Sequence, residues 1–218
     1  MAKIALQPLV KVLLVEHGRT FTDEAGINIE WNTPAVLFQH LYLSLLLSAR
    51  ISHHNAVEAA RALIEAGLTT PRQMADATWQ QRVDVITWHG YKRYDERTST
   101  MLGETAALVL DKYQGDLRKL RAAAGYAVRP EHALLQEFKG IGPVGADIFL
   151  REVQLIWDEA FPYADKKVLR AARRLGLPRD AQQLSKLVAR QDFARLTAAL
   201  IRTDLDDAYA EVRAHAAG

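Results

Sequence analysis

Two short stretches of the chain hold residue types and spacings that can do chemistry. In Phe161-Pro162-Tyr163-Ala164-Asp165-Lys166-Lys167-Val168-Leu169-Arg170 an aspartate stands immediately before a helical run. A carboxylate there has two compatible uses. It can cap the helix by accepting from first-turn amides, or it can stabilise a developing positive charge and align or deprotonate a water. The second stretch is Leu134-Leu135-Gln136-Glu137-Phe138-Lys139-Gly140-Ile141-Gly142-Pro143-Val144-Gly145-Ala146. Gly140 and Gly142 let the backbone turn tightly and present bare N–H groups, and the helix that follows adds its positive end. Such a nest holds a phosphate without reading sequence, and Lys139 beside it supplies charge. The plainer reading of these residues is a tight connection between two packed helices, with Ile141 in the core.

Both stretches must be positioned by helices, because almost every segment reads at helical period with caps at the expected places. The fold class is therefore all-α. A first helix runs from about Ile4 to Glu16, followed by a loop holding Gly18 and Gly26. Asn32 or Thr33 caps a second, nearly all apolar helix with Pro34 in its first turn, running to about Arg50, which marks it as central and buried. Further helices follow Ser52, Thr70-Pro71 and Thr78, and a long one spans about Arg93 to Tyr113. Leu117–Ala124 forms a short basic helix, and Gly125–Arg129 reads as a loop. Pro130 opens the helix Glu131–Phe138, and Pro143 opens one running to about Trp157. The last third holds helices near Lys166–Leu175, Ala181–Ala189 and Asp192 to the C-terminus. No repeat, heptad run or linker divides the chain.

Composition narrows the classes of function. With 49% hydrophobic residues the chain can bury a substantial core. Its most apolar stretch, Leu41–Ala49, is too short and too interrupted to span a bilayer, and the N-terminus lacks a secretory pattern. The expected location is the cytoplasm. Cysteine is absent, which removes thiolate metal sites, disulfides and Cys-ligated iron–sulfur clusters together. A formal net charge of +2 permits nucleic-acid binding without announcing it.

The hairpin stretch resembles the helix-hairpin-helix of the endonuclease III superfamily of DNA glycosylases: an apolar pair, Gly-x-Gly, then a small-residue helix. In that superfamily an aspartate follows the hairpin by roughly twenty residues, just ahead of a helix carrying Arg, and Asp165 falls where that aspartate belongs. The likeness extends over about Asn32 to Leu177. Pro34–Arg50, ending Leu47-Ser48-Ala49-Arg50, looks like the family helix that brings a polar residue to the DNA. Gly90-Tyr91-Lys92-Arg93 resembles the family turn that carries a wedge side chain.

The resemblance implies two interleaved helical domains with a cleft between them, one built from residues 1–30 and 128–218, the other from 31–127. It implies a partner, double-stranded DNA with a lesion or mismatch, and an activity, excision of a flipped base by hydrolysis of its N-glycosidic bond. Breaking that bond passes through an oxocarbenium-like sugar, which a single carboxylate, Asp165, can stabilise. Lys139, Gly140, Ile141, Gly142, Val144, Gly145, Arg50, Tyr91, Lys166 and Lys167 are the expected DNA contacts, with Arg50 filling the space left by the base. Trp31, Trp88, Trp157 and Tyr163 are aromatic enough to stack on it, with Trp31 and Tyr163 the pocket candidates.

The chain departs from the family in three places. Val144 stands where bifunctional members carry the lysine that forms a Schiff base, so the expectation is a monofunctional enzyme, or a weak lyase acting through another amine such as Lys139 or Lys166. The iron–sulfur loop cannot be built, which leaves no cofactor beyond a monovalent cation at the hairpin. Lys166 and Lys167 stand where the family tends to have a small polar residue and then His or another polar side chain. A monomer associated with the nucleoid is expected. The rival expectations are a non-catalytic DNA-binding module that kept the hairpin and lost the pocket, and a helical protein–protein scaffold that shows no salt-dependent DNA binding.

Several residues carry an ordinary structural reading as well. Arg50 can simply complement a helix dipole, and Asp95 to Arg97 read as helix capping first and pocket lining second. His53-His54 lack the further ligands of a metal site. Lys166, Lys167, Arg170, Arg173 and Arg174 form either a phosphate-facing flank or a solvated face.

Overall fold

The computed structural model describes residues 6–88 and 95–217. Tyr91 and its neighbours in 89–94 lie outside the described residues. Among those described, every regular element is helical and none is a strand. None of the helices is long and apolar enough to cross a membrane.

The chain packs as two units. One draws on residues up to Phe21 and from Arg151 onward; the other holds Thr22–Leu150. The expectation places 22–30 and 128–150 with the termini, whereas both segments pack within the central unit. The second boundary falls inside the helix Pro143–Val153, a division that helical periodicity alone cannot locate.

In the central unit the helix Pro34–Leu47 is the core element. Thr33 caps it by accepting from Val36 N at 3.3 Å, and Pro34 sits in its first turn. Leu37, Phe38, Leu41, Tyr42 and Leu46 are wholly buried, each burial worth about 1.5–3 kcal/mol for an aliphatic or Phe side chain. His40 ties this helix to Pro143–Val153, since its ring stacks on Phe149 at 4.5 Å and its Nε2 lies 2.9 Å from Phe149 O. The helices His53–Glu65 and Asp95–Tyr113 pack on it, and Pro71–Asp76 and Trp79–Trp88 pack in turn on Asp95–Tyr113, with Ser52 and Thr70 acting as the expected caps. Buried Arg82 fastens three of these segments by donating to Ser99 O and Met74 O, each at 3.0 Å, and to Ala77 O.

In the terminal unit Leu6–Val12 runs on as a π-helical turn, Leu13–His17, in place of the expected regular helix. Arg195 donates to Leu14 O and Gly18 O at 3.3 and 3.2 Å, satisfying carbonyls that the wider turn leaves open. The stretch expected as one C-terminal helix is two, Phe193–Leu205 and Tyr209–His215, broken where Asp207 takes φ 51°. Phe193–Leu205 packs on Leu13–His17 and on Lys166–Arg174, around Leu13, Val168, Ala171, Phe193 and Leu200.

The ends of other elements also differ from expectation. Phe21–Ala25 forms a short helix inside the expected loop, and Val128–Leu135 begins three residues early, so that Val128 and Arg129 are helical. Pro130 then occupies the first turn, where its missing N–H costs nothing.

Candidate nucleic-acid interface and acid site

The hairpin connects Val128–Leu135 to Pro143–Val153 within the central unit. Phe138 and Ile141 anchor it from beneath, at 1% and 2% exposure, and Ile141 N donates to Phe138 O at 2.9 Å. Ile141 is an expected DNA contact; its side chain is instead core, and only its backbone belongs to the turn. Gly145 is buried likewise, because a Cβ there would meet Ile141 Cγ2 at 3.1 Å and Ser48 Cβ at 3.6 Å. Small size at this position lets two helices approach.

The two turn glycines have different reasons to be glycine. Gly140 has φ +93°, and a Cβ would lie 2.5 Å from Met101 Sδ. The fold itself demands it. Gly142 has no such constraint, since nothing lies within 4 Å of a Cβ built there and its φ is not in the left-handed region. Gly142 and Val144 are exposed, Val144 at 57%. Among the described residues no backbone carbonyl meets either amide. Lys139, expected to face a phosphate, pairs with Glu104 at 2.8 Å, both side chains well exposed. Such a surface pair contributes only about 0–1 kcal/mol and yields readily to a stronger anion.

Beside the turn, Ser48 Oγ donates to Leu45 O at 2.7 Å and to Gly140 O at 3.3 Å, joining the end of the core helix to the hairpin. A cavity of about 360 Å³ opens there, and both Arg50 and Gly140 line it. The structure thus brings Arg50 and the hairpin together. Trp31 is 69% exposed at the end of the 3-10 turn Ile29–Trp31, whereas Trp157 is wholly buried. Tyr163 is half-buried in the terminal unit, its backbone held by Gln154, which accepts from Tyr163 N at 2.8 Å and donates to Tyr163 O at 3.1 Å. The rings of His53 and His54 stand 4.2 Å apart, and no group of metal ligands occurs among the described residues.

Asp165 belongs to the terminal unit. It is the N-cap of Lys166–Arg174: Oδ1 accepts from Lys167 N at 2.7 Å and from Val168 N at 3.3 Å. Oδ2 is engaged by Arg151 Nε in an ion pair whose side chains are 5% and 7% exposed. Sequence reasoning missed Arg151. Its signal was a charge within Ile148-Phe149-Leu150-Arg151-Glu152-Val153, since a charged residue in an apolar helical run needs a partner. Glu152 beside it accepts from Phe21 N at 2.7 Å.

Lys166 is exposed and Lys167 half-buried. Burial holds the Lys167 ammonium below the ordinary lysine value of 10.5, with Arg151 and Arg170 adding to the effect and Asp204 and Asp165 opposing it. Of the basic flank, Arg170 and Arg174 are paired inside their own unit. Arg170 and Arg174 both reach Asp204, and Arg174 also reaches Asp207 and covers the Tyr209 ring at 3.6 Å. Burial works against the Asp204 carboxylate, but the Tyr209 hydroxyl and Arg170 outweigh it and hold that group below its ordinary 3.8.

No protein-family model matches the chain, and no curated protein matches its sequence. Among solved structures, a non-covalent endonuclease III–DNA complex is 18% identical over 78% of this chain and 72% of that one, with a TM-score of 0.47. A trapped endonuclease III–DNA covalent intermediate, an estranged-adenine complex, is 17% identical over 75% and 71%, with a TM-score of 0.45. The chain is all-helical; likenesses at these values do not assign it to a family.

Proposed function

We propose that the chain binds damaged or mismatched duplex DNA through the 139–145 hairpin and removes a base by hydrolysing its N-glycosidic bond, with Asp165 as the essential acid group. It works as a monomeric, monofunctional glycosylase of base excision repair, in the cytoplasm with the nucleoid. The observation that carries the DNA reading is Gly142. This exposed glycine has no need of its conformational freedom and no atom crowding its Cβ position, and among the described residues its amide and that of Val144 have no backbone acceptor. A phosphate on the strand accounts for all of this, because it needs close backbone approach and takes two N–H donors.

In the excision step the bond to the base breaks as positive charge builds on the deoxyribose, and a carboxylate stabilises that charge and orients the water that captures it. Asp165 does this work by exchanging part of its pairing with Arg151 for the sugar. Val144 offers no amine, so water is the nucleophile. A monovalent cation at the hairpin would draw on the carbonyls of Phe138, Gly140 and Gly142, each of which already accepts one hydrogen bond.

One observation favours a second reading, a DNA-binding module without chemistry: the Asp165 side chain is 5% exposed and both of its oxygens are occupied. Asp165→Asn separates the two, because Asn still caps a helix, and since it strands Arg151 it is assayed below its lowered Tm. On a panel of single-lesion duplexes, with alkali to reveal abasic sites, the wild type releases a base and the variant does not, while both bind DNA. No release by the wild type on any duplex, with DNA binding retained, selects the module.

A further inference from the structure

The cavity beside the hairpin is lined by two arginines, Arg50 and Arg97, together with Leu45, Ser48, Met101 and Gly140. Both arginines are exposed, and neither has an ion pair or hydrogen bond among the described residues. Arg97 lies in the first turn of Asp95–Tyr113, where a helix dipole disfavours a cation. Guanidinium forks suit planar or phosphate oxygen acceptors, while Leu45 and Met101 add an apolar wall suited to a ring. At about 360 Å³ the space lies at the lower end of the ~300–1,000 Å³ of pockets that take small molecules, and it is roomier than a lone phosphate requires.

We propose that this cavity is a nucleotide subsite, receiving one nucleotide of the bound strand with its phosphate on Arg50 and Arg97 and its base against Leu45 and Met101. The inference rests on the DNA-binding reading of the hairpin and assigns Arg97 a binding role within that interface. Arg50 thereby holds a nucleotide in place of a purely space-filling task.

The test titrates the full chain with a deoxynucleoside 5′-monophosphate, with the matching deoxynucleoside and with inorganic phosphate, following NMR shifts. Salt-dependent binding to duplex DNA is measured in parallel. The nucleotide binds more tightly than either fragment, and Arg97→Gln weakens it by about tenfold, as loss of a charge-assisted hydrogen bond does. Arg97→Lys, which keeps the charge and loses the fork, falls between. Arg72→Gln, an exposed charge elsewhere in the unit, changes nothing. Three results each overturn the subsite: Arg97→Gln without effect, inorganic phosphate binding as well as the nucleotide, or Arg72→Gln acting as strongly as Arg97→Gln. If the subsite fails while salt-dependent duplex binding persists, the hairpin reading stands. If the wild type shows no duplex binding, that reading falls and the subsite with it.

Discussion

Arg151→Met tests whether the terminal unit depends on the pair that holds Asp165. The two side chains are 7% and 5% exposed, so the substitution leaves a carboxylate out of water with two backbone donors, one at 2.7 Å and a weaker one at 3.3 Å. Removing one member of a buried ion pair costs about 3–5 kcal/mol, most of it the penalty on the abandoned charge. In a chain of this size each kcal/mol moves the midpoint by about 2–4 °C, so Tm falls by roughly 6–20 °C, read by circular dichroism at 222 nm. Adding Asp165→Asn removes the stranded charge and keeps the cap. The double variant therefore recovers most of the loss. A drop below about 1 kcal/mol in Arg151→Met, or a double variant no more stable than the single one, would refute the account of a buried pair given above.

The turn glycines provide a contrast within two residues. Gly140→Ala costs about 1–3 kcal/mol from backbone strain, with a further penalty from Met101, whereas Gly142→Ala stays within about 0.5 kcal/mol of wild type and weakens duplex binding; equal stability effects at both sites contradict the assignment. Abasic-site DNA treated with borohydride leaves no covalent adduct with the wild type, because Val144 carries no amine; a strong trapped band removes the monofunctional proposal. Asp204 is held below its ordinary 3.8, so its stabilisation is present above that value and is lost as pH falls through the depressed one. Asp204→Asn therefore lowers stability near neutral pH and flattens the acid limb of a stability–pH profile below the ordinary carboxylate value of 3.8; an unchanged acid limb rules this out.

Helix type and caps were legible in the residues because they depend on neighbours three or four positions away. Thr33, Ser52, Thr70 and Asp165 all cap as their spacing with the following run implies. The π-turn at Leu13–His17 was not legible, since its open carbonyls are satisfied by Arg195, nearly two hundred residues away. The fates of the candidate residues split in the same way. Gly-Ile-Gly between two helical runs, followed by Pro143, reads as a turn, but whether Ile141 faces solvent or core depends on what lies beneath it.

From the sequence alone came the all-helical class, the hairpin between two helices and the aspartate at a helix start, because period, proline position and capping chemistry are local. Tertiary structure alone decided that Arg151 engages Asp165, that Glu104 meets Lys139 and that Arg50 and Arg97 share a cavity. Partners of charged side chains are chosen by packing between segments distant in the chain, and no local pattern encodes which of many arginines and acids will be brought together.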